Sequence, residues 1–178
     1  MAARHASELE LLRFDDEFEG DIRLNEPMAR HTTYRIGGPA HAYAQVNSIA
    51  ALATVLKVCA DEELSWFVSG KGSNLLVSDE GYPGVVIALA GEFRAWQFDE
   101  EEGTVVVGAG TMLSRLVQEA FHHGFSGMEF AVGTPGTVGG ALVQNAGTAQ
   151  DWIGSRVVSV TTFNVCLLYT SDAADDRI

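Results

Sequence analysis

The chain has 178 residues, of which 47% are hydrophobic, and it carries a formal net charge of −13 at neutral pH. This hydrophobic share can fill a core, so we expect a folded protein rather than a disordered chain. The negative charge argues against a nucleic-acid partner, which would need a basic face. No apolar run approaches the roughly 20 residues that cross a membrane, so we expect no membrane partner.

The cysteine pattern indicates a reducing compartment. The two cysteines, Cys59 and Cys166, have neither the spacing of a disulfide framework nor that of a zinc motif. No signal sequence with a charged start and an apolar middle opens the chain. We therefore expect a cytoplasmic protein.

The first 40 residues give weak structural signals. Residues 1–22 form an acidic extension with scattered leucine and phenylalanine, which we leave unassigned. Residues 25–40 predict an irregular segment that ends in a Gly-Gly-Pro turn. Arg30 and Arg35 in this segment are candidate phosphate contacts, although exposed arginines are common on any protein surface.

Strands and a helix alternate in the next 50 residues. Residues 49–64 predict a helix, because apolar side chains recur there at helical spacing and Ser48 or Asn47 can cap its start. Strands are predicted at 41–46, 66–69, 75–79 and 84–89. This order is typical of an α/β or α+β unit.

The turn between the second and third of these strands has an unusual composition. It consists of Gly70, Lys71, Gly72, Ser73 and Asn74. Glycines allow positive φ and close approach of a ligand, and successive N–H groups of such a turn can form a nest for an anion. A phosphate or pyrophosphate would fit, although a plain turn between strands has the same composition. A P-loop is excluded because position 72 would need Ser or Thr, and no third glycine completes a dinucleotide fingerprint.

A polar break at Gly91 and Glu92 predicts a subdomain boundary. Residues 94–98 and 104–107 predict a hairpin around the acidic turn 99–103. A helix follows.

The second helix runs from Leu113 to Phe121, and Gly124 is its predicted C-cap. His122 and His123 lie in its last turn. Adjacent residues face different directions on a helix, and no third ligand is evident, so a metal site is not predicted. We expect these histidines to interact with the helix C-terminus.

A second glycine cluster follows the helix. Its four glycines fall within eight residues: Gly133, Gly136, Gly139 and Gly140. The cluster is apolar and Pro135 stiffens it, so it predicts a preset backbone surface rather than a linker. A flat aromatic ligand lying against exposed backbone would account for both features. For the nearby Glu129 we predict a structural hydrogen bond to loop backbone rather than acid/base catalysis.

These segments together resemble a known enzyme family. The motifs are Gly70-Lys-Gly-Ser-Asn74, Gly108-Ala-Gly110, the stretch from Gly127 to Gly140, and Gln144-Asn-Ala-Gly147, preceded by His31-Thr-Thr-Tyr-Arg-Ile-Gly-Gly38. In this order they are similar to the UDP-N-acetylenolpyruvoylglucosamine reductases of peptidoglycan synthesis. The resemblance covers roughly residues 24–164.

The resemblance implies an α+β FAD-binding fold of the vanillyl-alcohol-oxidase type. It divides the chain into an extension at 1–22, a first FAD-binding subdomain at 23–90 and an incomplete second one at 91–164. The pyrophosphate of FAD would lie on Gly70, Lys71, Gly72, Ser73 and Asn74. The remaining cofactor residues implied by the family are Gly110, Gly133, Thr134, Pro135, Gly136, Gly139, Gly140 and Asn145.

The family resemblance also implies a reaction. NADPH reduces the flavin, hydride passes to the enolpyruvyl group of a UDP-sugar, and a general acid completes the reduction. The arginine, serine and glutamate that the family uses lie in motifs downstream of the second glycine cluster, and those motifs do not occur here. We therefore assign no catalytic residue and expect the chain to be catalytically incomplete.

Two parts of the chain depart from the family pattern. Residues 148–152 replace the usual Ala-Tyr-Gly, which puts the local loop conformation in question. Residues 156–164 predict a strand that is cut short, and 165–178 resemble a translated sequencing adapter, so we expect that tail to be non-native. Two alternatives stay open: another flavin oxidoreductase of the same superfamily, and a stand-alone flavin- or nucleotide-binding module.

Overall fold

The computed structural model describes residues 7–164, which form an α+β fold with a four-stranded sheet and a two-stranded hairpin. The helices are α1 (Glu8–Leu11), α2 (Ile49–Asp61), α3 (Leu113–His122) and α4 (Val138–Gln144). The strands are β1 (Gly20–Pro27), β2 (Pro39–Val46), β3 (Trp66–Ser69), β4 (Tyr82–Leu89), β5 (Trp96–Asp99) and β6 (Thr104–Val107). Short 3-10 turns connect several of these elements.

The large sheet has the strand order β1-β2-β4-β3. Strand β1 is antiparallel to β2, whereas β2, β4 and β3 are parallel to one another. Helix α2 provides the crossover from β2 to β3 that parallel strands require. The carboxyl ends of β2, β3 and β4 therefore meet at one edge of the sheet, which is where open α/β sheets bind ligands.

Apolar side chains cover both faces of this sheet. On one face, α2 packs Val55 and Leu56 against Ala44 and Ile87, all of them buried. On the other face, Met28 and Val77 belong to a second buried cluster with Tyr43 and Val86. Burying a side chain of this size stabilises the fold by about 1.5–3 kcal/mol. The loops that carry Met28 and Val77 are thereby held on the sheet.

The remaining elements have a core of their own. The hairpin β5–β6 is antiparallel, with Trp96 opposite Val107. Leu113 and Leu116 of α3 pack with Val138 and Ala141 of α4 in one buried cluster.

Most helix and strand predictions are confirmed. Helix α2 ends at Asp61, three residues before its predicted end, and the Ser48 hydroxyl accepts from the Ala51 N–H at its start. Gly124 ends α3 with a φ of 75°, and the Gly124 N–H donates to Phe121 O. Such a left-handed residue after a helix is the usual role of glycine.

The strand predicted at 75–79 is wrong. These residues are irregular and lie across the sheet face, because Val77 is buried in the second cluster while Leu76 is 73% exposed. A loop that packs one side on a sheet shows the same alternating burial as a strand. The segment is not a strand because, among the described residues, no strand pairs with it.

Two further predictions require correction. Residues 25–40 were expected to be irregular, but β1 extends to Pro27, which lies opposite Pro39 at the sheet edge. Proline is tolerated at the end of an edge strand, so it does not exclude one. Residues 156–164 form no strand within the described part of the chain. The expected non-native tail, 165–178, lies outside the described residues.

Candidate cofactor site

The first glycine turn, 70–74, follows β3 at the carboxyl edge of the sheet. Gly72 has a φ of 69°, and a Cβ atom at this position would lie 2.0 Å from His31 O. The Thr33 N–H donates to Gly72 O at 3.1 Å. The turn therefore packs against the neighbouring segment 31–36. At position 72 this contact leaves space only for glycine.

The second glycine segment, 133–140, has left-handed backbone at two of its glycines. Gly133 and Gly136 have φ values of 81° and 123°, and no atom lies within 4 Å of a Cβ built on Gly133. The Thr137 hydroxyl caps α4 by accepting from the Gly140 N–H at 3.3 Å. The left-handed φ values need glycine even where space is free.

The structure brings the two glycine segments into contact. A Cβ atom at Gly70 would lie 2.4 Å from Thr137 Oγ1, and one at Gly136 would lie 3.4 Å from Ser73 Oγ. The Asn74 side-chain amide donates to Gln144 Oε1 at 3.4 Å. Gly70, Ser73, Asn74 and Gly136, all of them predicted site residues, thus share one junction.

Sequence reasoning missed two residues of this junction, Thr137 and Gln144. Thr137 carried a usable signal, because a threonine directly before the helical run Val138–Gln144 is a typical N-cap. Gln144 is the first residue of the motif Gln144-Asn-Ala-Gly147, next to the predicted Asn145.

The first glycine turn is rich in hydrogen-bond donors. The turn offers backbone N–H groups, the hydroxyl of Ser73, the amide of Asn74 and the exposed ammonium of Lys71. Donor groups and a positive charge suit an anionic ligand. The open face of Gly133 leaves room for a ligand against bare backbone, whereas Gly136 is buried beside Ser73.

Three predicted residues have a structural role in close packing or in ending a helix. A Cβ atom at Gly110 would lie 2.5 Å from Leu89 O, and one at Gly139 would lie 2.9 Å from the Cβ of Ala109. Asn145 ends α4 with a φ of 47°, and its side-chain oxygen accepts from the Gly154 N–H. Their part in cofactor binding stays a prediction.

The remaining predicted residues line the second segment. The Thr134 N–H donates to Ala131 O at 3.0 Å and closes the turn before Pro135, which is exposed. Gly140 is exposed in the first turn of α4. All three residues are therefore at least partly exposed to solvent.

A polar network fixes the loop that departs from the family pattern. Asp151 accepts from Ser155 and Arg156, and the Arg156 Nε–H also donates to Gly127 O at 2.9 Å. The pKa of Asp151 is lowered mainly by the hydrogen bond from Ser155, and further by the hydrogen bond and positive charge of Arg156. The Gly127 N–H donates to the Glu129 carboxylate at 2.8 Å, which confirms the structural hydrogen bond predicted for Glu129.

Comparison with known families identifies the cofactor of this domain. The family model described as an FAD binding domain matches residues 40–165, well over half of the chain. The chain belongs to this family. FAD is therefore the cofactor of this FAD-binding domain, and the donor-rich turn with the open glycine surface fits its pyrophosphate and flat ring.

Individual relatives carry a more specific name. The chain is 40% identical over 146 residues to the UDP-N-acetylenolpyruvoylglucosamine reductase of Desulfosudis oleivorans, which covers 80% of this chain and 47% of that protein. It is 44% identical to the reductase of the same name from Bacillus subtilis, over 72% of this chain and 42% of that protein. The chain thus spans about half the length of the curated relatives it matches.

A solved structure supports the same relationship. The crystal structure of UDP-N-acetylenolpyruvylglucosamine reductase from Thermus caldophilus matches with a TM-score of 0.60 and 41% identity, over 75% of this chain and 44% of that one. This likeness confirms the predicted α+β FAD-binding fold. Within residues 7–164, no helix of the FAD-binding domain has the length and apolar character needed to span a bilayer.

Proposed function

We propose that this FAD-binding domain is the cofactor-binding part of an oxidoreductase that reduces UDP-N-acetylenolpyruvoylglucosamine in peptidoglycan synthesis. The observation that carries the proposal is the junction of the two glycine segments. Gly70 and Gly136 are 66 residues apart in the chain, yet both segments contribute to one donor-rich surface. The relatives that the chain matches over most of its length are named as reductases of that substrate.

The first segment would hold the pyrophosphate. Backbone N–H groups of 70–74, the Ser73 hydroxyl and the Asn74 amide are its donors. Each hydrogen bond to a charged group contributes about 1.5–3 kcal/mol, so a few of them give useful affinity. Lys71 adds a positive charge where the chain as a whole carries −13 and would repel a dianion.

The second segment would lie along the cofactor towards its isoalloxazine ring. Gly133 and Gly140, which are exposed, would let the ring approach bare backbone, whereas Thr134, Pro135 and the buried Gly136 would fix the direction of the chain. The roles of the other three predicted residues would be indirect. Close packing at Gly110 and Gly139, and the end of α4 at Asn145, would hold α4 in position behind this surface. Bound FAD would supply the redox chemistry by accepting and passing on a hydride.

The protein as a whole would use NADPH as the hydride source and a UDP-sugar as the acceptor, as the family resemblance implies. Its location would be the cytoplasm, where both are made. We divide the domain into subdomains at 23–90 and 91–164. We assign it no catalytic residue, so this chain should bind FAD without turning over the UDP-sugar.

A titration tests the cofactor assignment. Adding the purified chain to FAD should quench the flavin fluorescence with saturation, and excess FAD should raise the melting temperature, since ligand at 100 times its dissociation constant stabilises a fold by about 2.7 kcal/mol. A well-folded chain that shows neither effect would contradict the proposal.

A matched pair of lysine variants tests the position of the pyrophosphate. Lys71→Gln should weaken FAD binding about fivefold at low salt and less at high salt, because salt screens an exposed charge. Lys57→Gln changes the net charge equally but lies on α2, where Lys57 pairs with Asp61, and should leave the affinity unchanged. Equal losses in both variants would indicate a general charge effect and contradict the assignment.

A further inference from the structure

A buried carboxylate lies behind the first glycine turn. Glu26, on β1, is only 6% exposed. Its oxygens lie 2.9 Å from His31 Nε2, 3.6 Å from Arg30 Nη1 and 3.9 Å from Arg23 Nη1. Because a carboxylate only accepts, His31 is the donor of the short bond. The two arginines are more exposed and farther away, so His31 is the close partner of Glu26.

A second contact fixes the ring of His31. It stacks on Tyr43 of β2 with ring centroids 3.9 Å apart and an angle of 21° between the planes. A side chain held by a hydrogen bond at one end and by a stacked face has little rotational freedom. The backbone of residue 31 is therefore anchored to the sheet through β1 and β2.

The backbone of this anchored residue touches the cofactor turn. His31 O occupies the space that a side chain on Gly72 would need, and the Thr33 N–H donates to Gly72 O at 3.1 Å. Thr32, which is buried, closes the segment by donating from its hydroxyl to Ile36 O at 2.9 Å. Gly72 thus takes its left-handed conformation against a surface that His31 sets.

We propose that His31 is a positioning residue for FAD, acting through its bond to Glu26. The bond holds segment 31–36 in place, and that segment sets the direction of the N–H groups of 70–74. The role of FAD rests on the proposed function, whereas the effect on the order of the turn does not. His31 itself needs no contact with the cofactor.

Two substitutions separate the bond from the stacking. His31→Phe keeps an aromatic face for Tyr43 but removes the donor to Glu26. His31→Gln keeps an N–H donor near the same position and loses the stacked ring. His123→Phe is the matched control, because His123 also stacks on an aromatic ring, that of Phe98, and its Nδ1 lies 3.1 Å from Glu100 Oε1, but it lies at the end of α3.

The first readout is hydrogen exchange of the cofactor-free chain. We expect amide exchange in 70–74 to accelerate about tenfold in His31→Phe, because the opened turn is populated more often. His31→Gln and His123→Phe should match the wild type there. Exchange in β2 and β4 should stay slow in all four proteins, which separates local loosening from global unfolding. Unchanged exchange in 70–74 would overturn the proposal.

The second readout is the dissociation constant for FAD. We expect it to rise about tenfold in His31→Phe, equivalent to about 1.4 kcal/mol, and to change little in the other two variants. Equal losses of FAD affinity in His31→Phe and His31→Gln would overturn the role of the Glu26 bond. An equal loss in His123→Phe would show that the effect is not specific to the contact between His31 and the first glycine turn. If the wild type binds no FAD, the proposed function fails, and faster exchange in His31→Phe alone would still support positioning of the turn.

Discussion

The two glycine segments of the candidate cofactor site differ in what surrounds their left-handed glycines. In 70–74, the backbone conformation of Gly72 is dictated by contact, since a Cβ atom there would lie 2.0 Å from His31 O. In 133–140, Gly133 has a similar left-handed φ of 81° but no atom within 4 Å of its Cβ position. One glycine faces protein and the other faces open space.

The glycines of a glycine-rich motif can therefore have two different roles. A glycine that faces protein is needed for the fold even when no ligand is bound. A glycine that faces open space in a cofactor domain is needed for the conformation and for the approach of the ligand. The first kind should control stability, whereas the second should control affinity more than stability.

The largest effect is expected for Gly72→Ala. Left-handed φ costs an alanine about 1 kcal/mol, and the overlap with His31 O should add about 2 kcal/mol. Gly103→Ala is the matched control, because Gly103 has a φ of 64° and open space around it. Urea unfolding of both variants should therefore show a loss about three times larger at position 72. Equal losses would break the distinction between the two kinds of glycine.

The next effect concerns affinity rather than stability. Gly133→Ala should lower the free energy of unfolding about as much as Gly103→Ala does, roughly 1 kcal/mol. It should also raise the dissociation constant for FAD about tenfold, because its methyl group enters the open face. Fluorescence titration of both variants tests this. A Gly133→Ala protein that binds FAD like the wild type would place the cofactor elsewhere.

A third effect lies beneath the second segment. Thr111 is 2% exposed, its carbonyl accepts from the Val138 N–H, and its hydroxyl has no hydrogen-bond partner in the described part of the chain. An unsatisfied buried hydroxyl costs about 1–3 kcal/mol, and valine has nearly the same shape. Thr111→Val should raise the free energy of unfolding by about 1 kcal/mol and leave FAD affinity unchanged. A loss of stability would show that the hydroxyl has a partner.

The sequence predicted local features well because they depend on neighbouring residues. The spacing of apolar residues gives α2 and α3, and Ser48 is recognisable as an N-cap from its own position. The composition of 70–74 was enough to suggest an anion site. Each of these signals lies within a few residues of the structure it predicts.

The tertiary features could not be predicted in the same way. Nothing in the spacing of Gly70 and Thr137 indicates that they touch, because contact between distant segments depends on how the sheet and α4 pack. The strand predicted at 75–79 failed for a related reason: a strand needs a neighbour, and local pattern does not report one. The same pattern could not reveal that His31 contacts Gly72.

The smallest expected effects come from a neighbouring pair in α4, Gly139 and Gly140. Gly140 is exposed, and the nearest atom to its Cβ position is Thr137 Oγ1 at 3.4 Å. Replacing a helical glycine by alanine stabilises a helix by up to about 1 kcal/mol, so Gly140→Ala should raise the free energy of unfolding by about 0.5 kcal/mol. Gly139→Ala should lower it, because the new methyl group would meet Ala109 at 2.9 Å.

This pair gives opposite signs for stability and separates stability from binding. If the isoalloxazine lies along the exposed face, Gly140→Ala should bind FAD about threefold more weakly although its fold is more stable, since the added methyl group keeps the ring from the backbone. Urea unfolding and fluorescence titration of the same preparations give both quantities. A variant that gains stability and keeps its affinity would restrict the cofactor surface to the neighbourhood of Gly133, because Gly136 is buried and only Gly133 would then remain open to the ring.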